Sequence, residues 1–142
     1  MDEYGLIPES IPVLVKKHRI RMEFVNPTFQ NPTGITLSLS RRKELLRICE
    51  SLHLPIVEDD PYGALTLDDC TSPLPLAALH QGSGQVLYCG SLSKTVAPGL
   101  RIGWIIGPTN VIDRLADAKE QIDFGTSIIS QQVAHTFMEV GA

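Results

Sequence analysis

The chain has 142 residues and a mass of 15.6 kDa, a length typical of one compact domain. Apolar residues make up 43% and charged residues 20%, which is ordinary globular composition and argues against a disordered chain. Twelve basic and sixteen acidic residues give a net charge of −4, which argues against a nucleic-acid surface over the whole chain but leaves room for one basic phosphate pocket.

Cysteine and histidine spacing indicates neither a disulfide framework nor a metal site. Cys49, Cys70 and Cys89 are widely spaced and form no CxxC pair, so we expect reduced thiols. The four histidines have no ligand-like spacing. No apolar run approaches the roughly 18 residues of a membrane span. The acidic, polar N-terminus is unlike a secretory signal, and we therefore expect a cytoplasmic protein.

The first predicted elements are a short strand, a loop and a helix. Residues 20–25 (IRMEFV) are expected to form a strand that runs into a loop over residues 26–34, where two prolines and a glycine exclude regular structure. Ser38 and Ser40 offer N-cap hydroxyls for the helix that follows. The apolar stripe of this helix consists of Leu45, Ile48, Cys49 and Leu52.

The middle of the chain is predicted to contain three more strands. Residues 55–58 form an apolar run that suits a buried strand, and residues 85–89 and 102–106 form two others. Residues 63–81 are expected to be irregular with one turn of helix, and residues 90–100 to form a loop.

Two amphipathic helices complete the prediction, at about residues 110–123 and 127–140. We expect the first to direct Val111, Leu115, Ala118 and Ile122 inward, and the apolar side of the second to consist of Ile128, Val133, Phe137 and Val140. Together the elements predict a three-layer α/β fold built on a mostly parallel sheet.

Ligands of such sheets bind beyond the carboxyl ends of the strands. The side chains that could take part in chemistry belong to Asn31, residues 59–62 (DDPY) and residues 91–101. All of these follow predicted strands or lie in loops. We therefore expect one common site at one edge of the sheet.

Lys94 is the candidate for covalent chemistry, because a lysine can form a Schiff base with a carbonyl compound. Taken alone, a loop lysine is more often a solvated surface residue. Its neighbours favour a function, since the hydroxyls of Ser91 and Ser93 and the guanidinium of Arg101 can converge on a phosphate.

Asp59 emerges from a predicted buried strand, where an unpaired carboxylate is costly and needs a positive partner. A protonated pyridine nitrogen would be such a partner, and Tyr62 could point its phenol into the same space. A solvated acidic turn before Pro61 explains the same residues about as well. The amide of Asn31 could donate to an anionic oxygen, although asparagine is also common in turns.

Three other motifs favour rival functions only weakly. Residues 91–94 (SLSK) fit the S-x-x-K motif of penicillin-binding proteins, but the companion S-D-N and K-T-G motifs are absent from the sequence. Residues 58–60 (EDD) could be a carboxylate cluster for a metal, without a second cluster or a histidine at ligand spacing. Residues 82–84 (GSG) lack the rest of a phosphate-binding motif and are expected to form a turn.

As a set, these motifs resemble the fold-type I pyridoxal-phosphate enzymes, and more narrowly the class I/II aminotransferases. The resemblance covers the chain from about residue 22 to its C-terminus. The motifs that carry it are Asn31-Pro32-Thr33-Gly34, Asp59-x-x-Tyr62, and Ser91-x-Ser93-Lys94 followed by Arg101.

The resemblance implies a role for each residue around a cofactor ring. Lys94 would be the Schiff-base lysine and the catalytic residue. Asp59 would pair with the pyridinium nitrogen, and Tyr62 and Asn31 would hydrogen-bond the phenolic oxygen. The implied reaction is amino-group transfer between an amino acid and a 2-oxo acid, in a protein that is a homodimer.

The resemblance also implies a phosphate site, with Ser91 and Arg101 as its ligands and Ser93 nearby. Complete family members are far longer than this chain. We find no glycine-rich phosphate loop, no upstream aromatic residue to stack on the ring, and no small C-terminal domain. Residues 1–142 are therefore expected to be the central part of the large domain, and inactive by themselves.

A finer resemblance is to the MocR group of bacterial regulators, which join a GntR-type winged-helix DNA-binding domain to an aminotransferase-like domain. It is carried by residues 29–34 (FQNPTG), 58–63 (EDDPYG), 115–119 (LADAK) and 123–127 (DFGTS). Aminoadipate-type aminotransferases share much of this pattern. The alternative function is therefore an effector-sensing domain with little or no turnover, which detects an amine or the cofactor itself. DNA would then be bound by a winged helix that this chain lacks and not by this segment itself.

Overall fold

The computed structural model describes residues 1–67, 71–80 and 86–140. Four strands form one sheet: β1 (Glu23–Val25), β2 (Ile56–Asp59), β3 (Val86–Ser91) and β4 (Gly103–Ile106). The α-helices are α1 (Ile11–Lys17), α2 (Leu39–Ser51), α3 (Leu76–Leu79), α4 (Thr109–Asp123) and α5 (Ile128–Val140). Short 3₁₀ helices span Pro8–Ser10 and Pro98–Leu100. None of the helices in the described ranges combines the length and the apolar character needed to cross a membrane.

The sheet has the order β1-β2-β3-β4. Strands β1, β2 and β3 are parallel, and β4 runs antiparallel to β3. The α/β fold with a mostly parallel sheet that the sequence predicts is confirmed. The single antiparallel strand matters for the site, because it brings the start of β4 to the end of the sheet where β2 and β3 finish.

One face of the sheet is packed and is called the covered face below. Residues paired across neighbouring strands share a face, so Val25, Glu58 and Tyr88 project to the same side. Buried apolar side chains from this face, from α1, α2 and α3 and from their connections form one core. Its members are Ile11, Val25, Leu37, Leu45, Leu46, Ile48, Cys49, Leu54, Ile56, Leu76 and Val86.

Helix α2 begins where the sequence predicts, with Ser38 as its N-cap. The Ser38 Oγ accepts a hydrogen bond from the Arg41 backbone N–H at 3.4 Å. Three members of the predicted stripe, Leu45, Ile48 and Cys49, are buried, and the fourth, Leu52, packs half-buried against the core. The single helical turn expected within residues 63–81 is α3.

The structure corrects several expectations. Helix α1 was not predicted, and three of the predicted strands begin one to three residues later than expected. Strands β2 and β3 also extend further, to Asp59 and Ser91, so these two residues end strands instead of lying in loops. Cys70 and the turn expected at residues 82–84 lie outside the described residues.

The expected inward packing of the first of the last two helices, α4, is wrong. Helix α4 has no buried residue, and α5 has one, Ala134. The side chains expected inward are half-exposed or exposed instead, with Leu115 at 40% and Ile122 at 80% of full exposure. An amphipathic pattern identifies the apolar side of a helix, but burial also requires a surface for that side to pack against.

Candidate functional site

The predicted site residues lie at one end of the sheet. Asp59 and Ser91 are the last residues of the parallel neighbours β2 and β3. Arg101 precedes β4, whose Gly103 lies opposite Ser91, so the start of the antiparallel strand lies at this end too. The other predicted residues occupy the connections that leave the strands here: Asn31, Tyr62, Ser93 and Lys94.

A cavity of about 310 Å³ at this end brings three of the predicted residues together. Its lining includes Asn31, Asp59 and Tyr62, and also Asn26 and Pro61. Its volume is that of a small-molecule site, which typically begins near 300 Å³. The other four predicted residues, at the end of β3 and in the β3–β4 connection, do not line this cavity: Ser91, Ser93, Lys94 and Arg101.

Asn31 lies in a loop that is closed by internal hydrogen bonds. The Leu37 N–H donates to the Pro27 carbonyl oxygen at 2.8 Å, and the Phe29 N–H donates to the Thr36 Oγ1 at 3.1 Å. These bonds satisfy backbone groups that a loop would otherwise leave to water. The loop therefore presents Asn31 from a defined position and not from a free segment.

Arg42, on α2, is completely buried and joins both ends of this loop. Its Nε donates to the Leu37 carbonyl oxygen at 2.8 Å. Its Nη2 donates to the Pro27 carbonyl oxygen at 2.8 Å and to the Thr28 Oγ1 at 2.9 Å. Its Nη1 donates to the Leu74 carbonyl oxygen at 3.2 Å. Burial lowers the pKa of Arg42, and these four bonds replace the water that the guanidinium lost.

Glu58 is also completely buried, on the covered face. Its carboxylate accepts hydrogen bonds from the Leu76 N–H at 2.7 Å and the Ala77 N–H at 2.9 Å, at the start of α3. Burial raises the pKa of Glu58, and the two N–H donors act in the opposite direction. Since neighbouring strand residues alternate, Asp59 projects to the other face.

The carboxylates of Glu58 and Asp59 therefore project to opposite faces of the sheet. This removes the main support for a metal site at residues 58–60. Within the described ranges, no group of three or more His, Cys, Asp or Glu residues is arranged to hold a metal ion.

Asn26, which sequence reasoning did not select, contacts Asp59. Its Nδ2 donates to the Asp59 carbonyl oxygen at 2.9 Å and lies 3.5 Å from the Asp59 Oδ2. The available signal was its position directly after a predicted strand, because parallel strand ends bring such residues side by side.

The β3–β4 connection is held by backbone hydrogen bonds, such as the one from the Leu92 N–H to the Ile102 carbonyl oxygen at 3.1 Å, and its polar side chains make few bonds. The Ser93 N–H donates to the Ser91 Oγ at 3.1 Å, while the side chains of Lys94 and Arg101 are exposed. The Arg101 Nη1 makes only a long contact, 3.4 Å, with the Pro98 carbonyl oxygen. The Ser91 Oγ also donates to the Ile102 carbonyl oxygen at a long 3.5 Å, whereas the two cationic side chains and the Ser93 hydroxyl have little of their bonding capacity used among the described residues.

Arg101 also has a left-handed backbone, with φ at +55°. A residue other than glycine pays about 1–2 kcal/mol for this conformation. Such strain clusters at functional positions, where the surrounding structure enforces it. The site as a whole offers a carboxylate, two amides and a phenol beside a turn that carries an amine, hydroxyls and a guanidinium.

Comparison with known proteins gives consistent relatives. Residues 17–140 match the model of the family described as aminotransferase class I and II. The HTH-type transcriptional regulator YdfD of Bacillus subtilis (strain 168) is 47% identical over 141 residues, which is 99% of this chain and 29% of that protein. Similarity thus extends further toward the N-terminus than the expected start near residue 22.

Solved structures agree with this relationship. Kynurenine aminotransferase of Pyrococcus horikoshii, in complex with PMP, has a TM-score of 0.92 and 34% identity, over 99% of this chain and 36% of that one. The alpha-aminoadipate aminotransferase LysN of Thermus thermophilus, complexed with N-(5'-phosphopyridoxyl)-L-leucine, has a TM-score of 0.91 and 32% identity, over the same shares of the two chains. The chain thus spans about a third of the length of these relatives.

Proposed function

Because the chain belongs to the aminotransferase class I and II family, we propose that it forms the pyridoxal-phosphate-binding core of an aminotransferase-type domain. The domain would transfer an amino group between an amino acid and a 2-oxo acid. The observation that carries the proposal is the collection of Asp59, Asn31, Tyr62, Lys94 and Arg101 at one end of the sheet. The PMP and phosphopyridoxyl groups of the two solved relatives support the choice of cofactor.

The donor set fits the functional groups of pyridoxal phosphate. The carboxylate of Asp59 suits a protonated ring nitrogen, and the amide of Asn31 and the phenol of Tyr62 suit the phenolic oxygen. All three line one cavity, and its size suits a ring of this kind. When bound, the cofactor supplies the electron sink for charge that develops at the substrate α-carbon.

The β3–β4 connection would hold the phosphate. The guanidinium of Arg101 is exposed and can offer two parallel N–H groups to phosphate oxygens. The Ser91 and Ser93 hydroxyls lie at the start of the same turn and can donate to the remaining oxygens. The positive charge of the connection would then face the negative charge of the phosphate.

Lys94 would have two tasks. Its Nζ would hold the cofactor covalently through a Schiff base. Once released by an incoming amino acid, the same Nζ would move the proton at the substrate α-carbon, as a general base placed within reach. Its exposed position in the turn between β3 and β4 leaves the side chain unobstructed for both tasks.

A half-reaction tests this proposal on the full-length protein. When the protein is loaded with pyridoxal phosphate and given an amino acid, it should convert the cofactor to its pyridoxamine form. The conversion is monitored by absorbance. The Lys94→Ala variant should not convert it, whereas Lys43→Ala, which removes an exposed lysine on α2, should behave like the wild type. No conversion by the wild type with any common amino acid would contradict the enzymatic proposal.

A second candidate function is an effector-sensing domain of a transcriptional regulator. The observation that favours it is the identity to the regulator YdfD, 47%, against 34% to the kynurenine aminotransferase. The same residues would then bind the cofactor, and an amine effector would exchange at Lys94 without completing a transfer. DNA would be bound by a separate winged-helix domain.

The DNA sequence upstream of the Met1 codon separates the two functions. A winged-helix pattern followed by a linker selects the sensor, whereas a segment that supplies only a phosphate loop and an aromatic stacking residue selects the enzyme. Rapid conversion of the cofactor by an amino acid would exclude a pure sensor.

We also propose that the full-length protein is a homodimer in the cytoplasm. Support for the dimer comes from the resemblance to the class I/II aminotransferases; the large apolar side chains that α4, α5 and their connection expose, including Phe124 and Ile129, would pack against the rest of the full-length chain or against the partner subunit. Light scattering should give twice the mass of one chain. A monomer that binds no dye specific for apolar surface would contradict the proposed dimer.

A further inference from the structure

We infer that Asn26 is a positioning residue that fixes the Asp59 carboxylate for the ring nitrogen of the cofactor, an inference that rests on the proposed function. Asn26 directly follows β1 and lines the cavity, and Asp59 ends the neighbouring strand. The Asn26 side chain reaches Asp59 across the gap between these two strand ends.

The main chain at Asp59 is held on both sides. The carbonyl oxygen of Asp59 accepts from the Asn26 Nδ2 at 2.9 Å, and the N–H of the same peptide group, from Asp60, donates to the Cys89 carbonyl oxygen at 2.9 Å. One bond comes from the β1 side and the other from β3. The peptide group that follows the Asp59 side chain therefore cannot tilt without breaking a hydrogen bond.

The orientation of the Asn26 amide is set by its surroundings. Both atoms that it faces on Asp59, the carbonyl oxygen and Oδ2, are acceptors, so the NH₂ group must point toward them. The Oδ2 lies 3.5 Å from the Nδ2, a long contact, so Asn26 holds Asp59 chiefly through its carbonyl oxygen and leaves the carboxylate free to bind a ligand. The Asn26 Oδ1 is buried and has no hydrogen-bond partner among the described residues.

Asn26 projects from a rigid base. Pro27 and Thr28, which follow it, are nearly completely buried, and Arg42 holds both of them by hydrogen bonds. A side chain that starts from an immobile backbone loses little entropy when it makes its bond. The amide is thus preorganised to hold Asp59 before any ligand arrives.

The consequence is specific to one atom of the cofactor. Asp59 is the residue that would meet the ring nitrogen, so loosening it should weaken the hold on that nitrogen and on no other group. A purely structural role of Asn26 would weaken binding of every ligand with the same phosphate and ring. Comparing two ligands that differ only at the ring nitrogen separates these outcomes.

The test uses the full-length protein and two ligands, pyridoxal phosphate and its analogue in which a carbon replaces the ring nitrogen. Dissociation constants are measured by absorbance titration for the wild type and for Asn26→Ala. We expect the wild type to prefer pyridoxal phosphate, and Asn26→Ala to reduce that preference by about three- to tenfold, the loss of one positioning hydrogen bond. Affinity for the carbon analogue should stay within about twofold of the wild type.

Thr36→Ala is the matched control, because it removes a hydrogen bond from the same loop without touching Asp59. It should leave the ratio of the two constants unchanged. An unchanged ratio in Asn26→Ala, or an equal loss for both ligands, would overturn the inference. If Asn26→Ala does not fold, as judged by circular dichroism, Asn26→Ser provides the same comparison with the donor withdrawn from reach. A wild type that binds neither ligand would instead overturn the proposed function, and the inference with it.

Discussion

The charged residues on the covered face and those in the β3–β4 connection differ in how many of their hydrogen-bonding groups have partners. On the covered face, Arg42 and Glu58 are fully buried, and between them they make six hydrogen bonds to neighbouring groups. At the β3–β4 connection, Lys94 and Arg101 are exposed, and the guanidinium makes one long contact. Charged groups whose hydrogen bonds are satisfied hold the loops in place, whereas charged groups with few partners remain available to a ligand.

The apolar residues show a similar division. Leu45 and Leu76 are fully buried beneath the covered face, whereas Phe124 after α4 is 92% exposed. The sequence pattern of α4 is as amphipathic as that of a packed helix, yet none of its side chains is buried. The comparison teaches that hydrophobic patterning predicts a helix and its apolar side without predicting that this side is covered.

The largest expected effect is on the covered face. Arg42→Met removes four hydrogen bonds and leaves three acceptors without a donor, while the Pro27 carbonyl oxygen keeps the Leu37 N–H, so the free energy of unfolding should fall by about 3–5 kcal/mol. Arg47→Met, on the exposed side of the same helix, should change it by less than about 0.5 kcal/mol. Equal effects in urea unfolding would remove the distinction between the buried, hydrogen-bonded guanidinium of Arg42 and the exposed ion pair of Arg47 with Glu44.

Core truncation should sharpen the contrast between α2 and α4. Leu45→Ala in the core should lower the free energy of unfolding by about 2–5 kcal/mol, because it leaves a cavity. The same change at Leu115, which is 40% exposed, should cost less than about 1 kcal/mol. A Leu115→Ala cost as large as that of Leu45→Ala would mean that α4 is packed in solution.

Alkaline pH should lower the free energy of unfolding through Tyr88, which lies on the covered face. Burial, assisted by Asp60, raises the pKa of Tyr88 to about 12, and its hydroxyl donates to the Asp60 Oδ2 at 3.1 Å. The folded state thus holds this proton more tightly than the unfolded state, where tyrosine titrates near 10. The contribution of Tyr88 to the free energy of unfolding is complete below about pH 10 and is lost as the pH rises toward 12.

Tyr88→Phe isolates that contribution. At neutral pH it should cost about 1 kcal/mol, the value of the lost hydrogen bond. Between about pH 10 and 12 its free energy of unfolding should fall less steeply than that of the wild type. Burial also raises the pKa of Cys49 to about 12, and because both proteins contain this thiol, their difference reports Tyr88. Parallel pH profiles would contradict the assignment.

The smallest effect is expected at Arg101. Its φ of +55° suits glycine, so Arg101→Gly should be more stable than Arg101→Ala by about 1 kcal/mol. Both variants lack the guanidinium and should bind phosphate-bearing ligands equally poorly. Thermal unfolding and ligand titration of the pair would separate backbone strain from phosphate binding. A more stable alanine variant would contradict the left-handed conformation.

Local chemistry explains which elements could be predicted from the sequence. Short apolar runs predict the four strands, and a hydroxyl N-cap followed by an apolar stripe predicts α2. Helix α1 was missed because prolines surround its start, although Pro12 lies in the first turn, where proline is tolerated. The antiparallel direction of β4 depends on pairing with β3, which no local pattern contains.

The site could be predicted in part, for a similar reason. Asp59, Asn31 and Lys94 belong to short motifs that can be recognised in the sequence. Asn26 acts on a residue 33 positions away, and that contact exists only once β1 and β2 are paired. The hydrogen bonds from Arg42 to the loop are equally non-local, because α2 must pack on the covered face before the Arg42 guanidinium reaches the loop.

The central claim is that the cofactor is held through Lys94. The full-length protein is incubated with pyridoxal phosphate, reduced with borohydride, digested, and analysed by peptide mass spectrometry. We predict a phosphopyridoxyl group on Lys94 in the wild type and in the Lys43→Ala control, and no labelled peptide from this region in Lys94→Ala. Absence of label in the wild type, or equal labelling of the Lys94→Ala protein, would contradict the account.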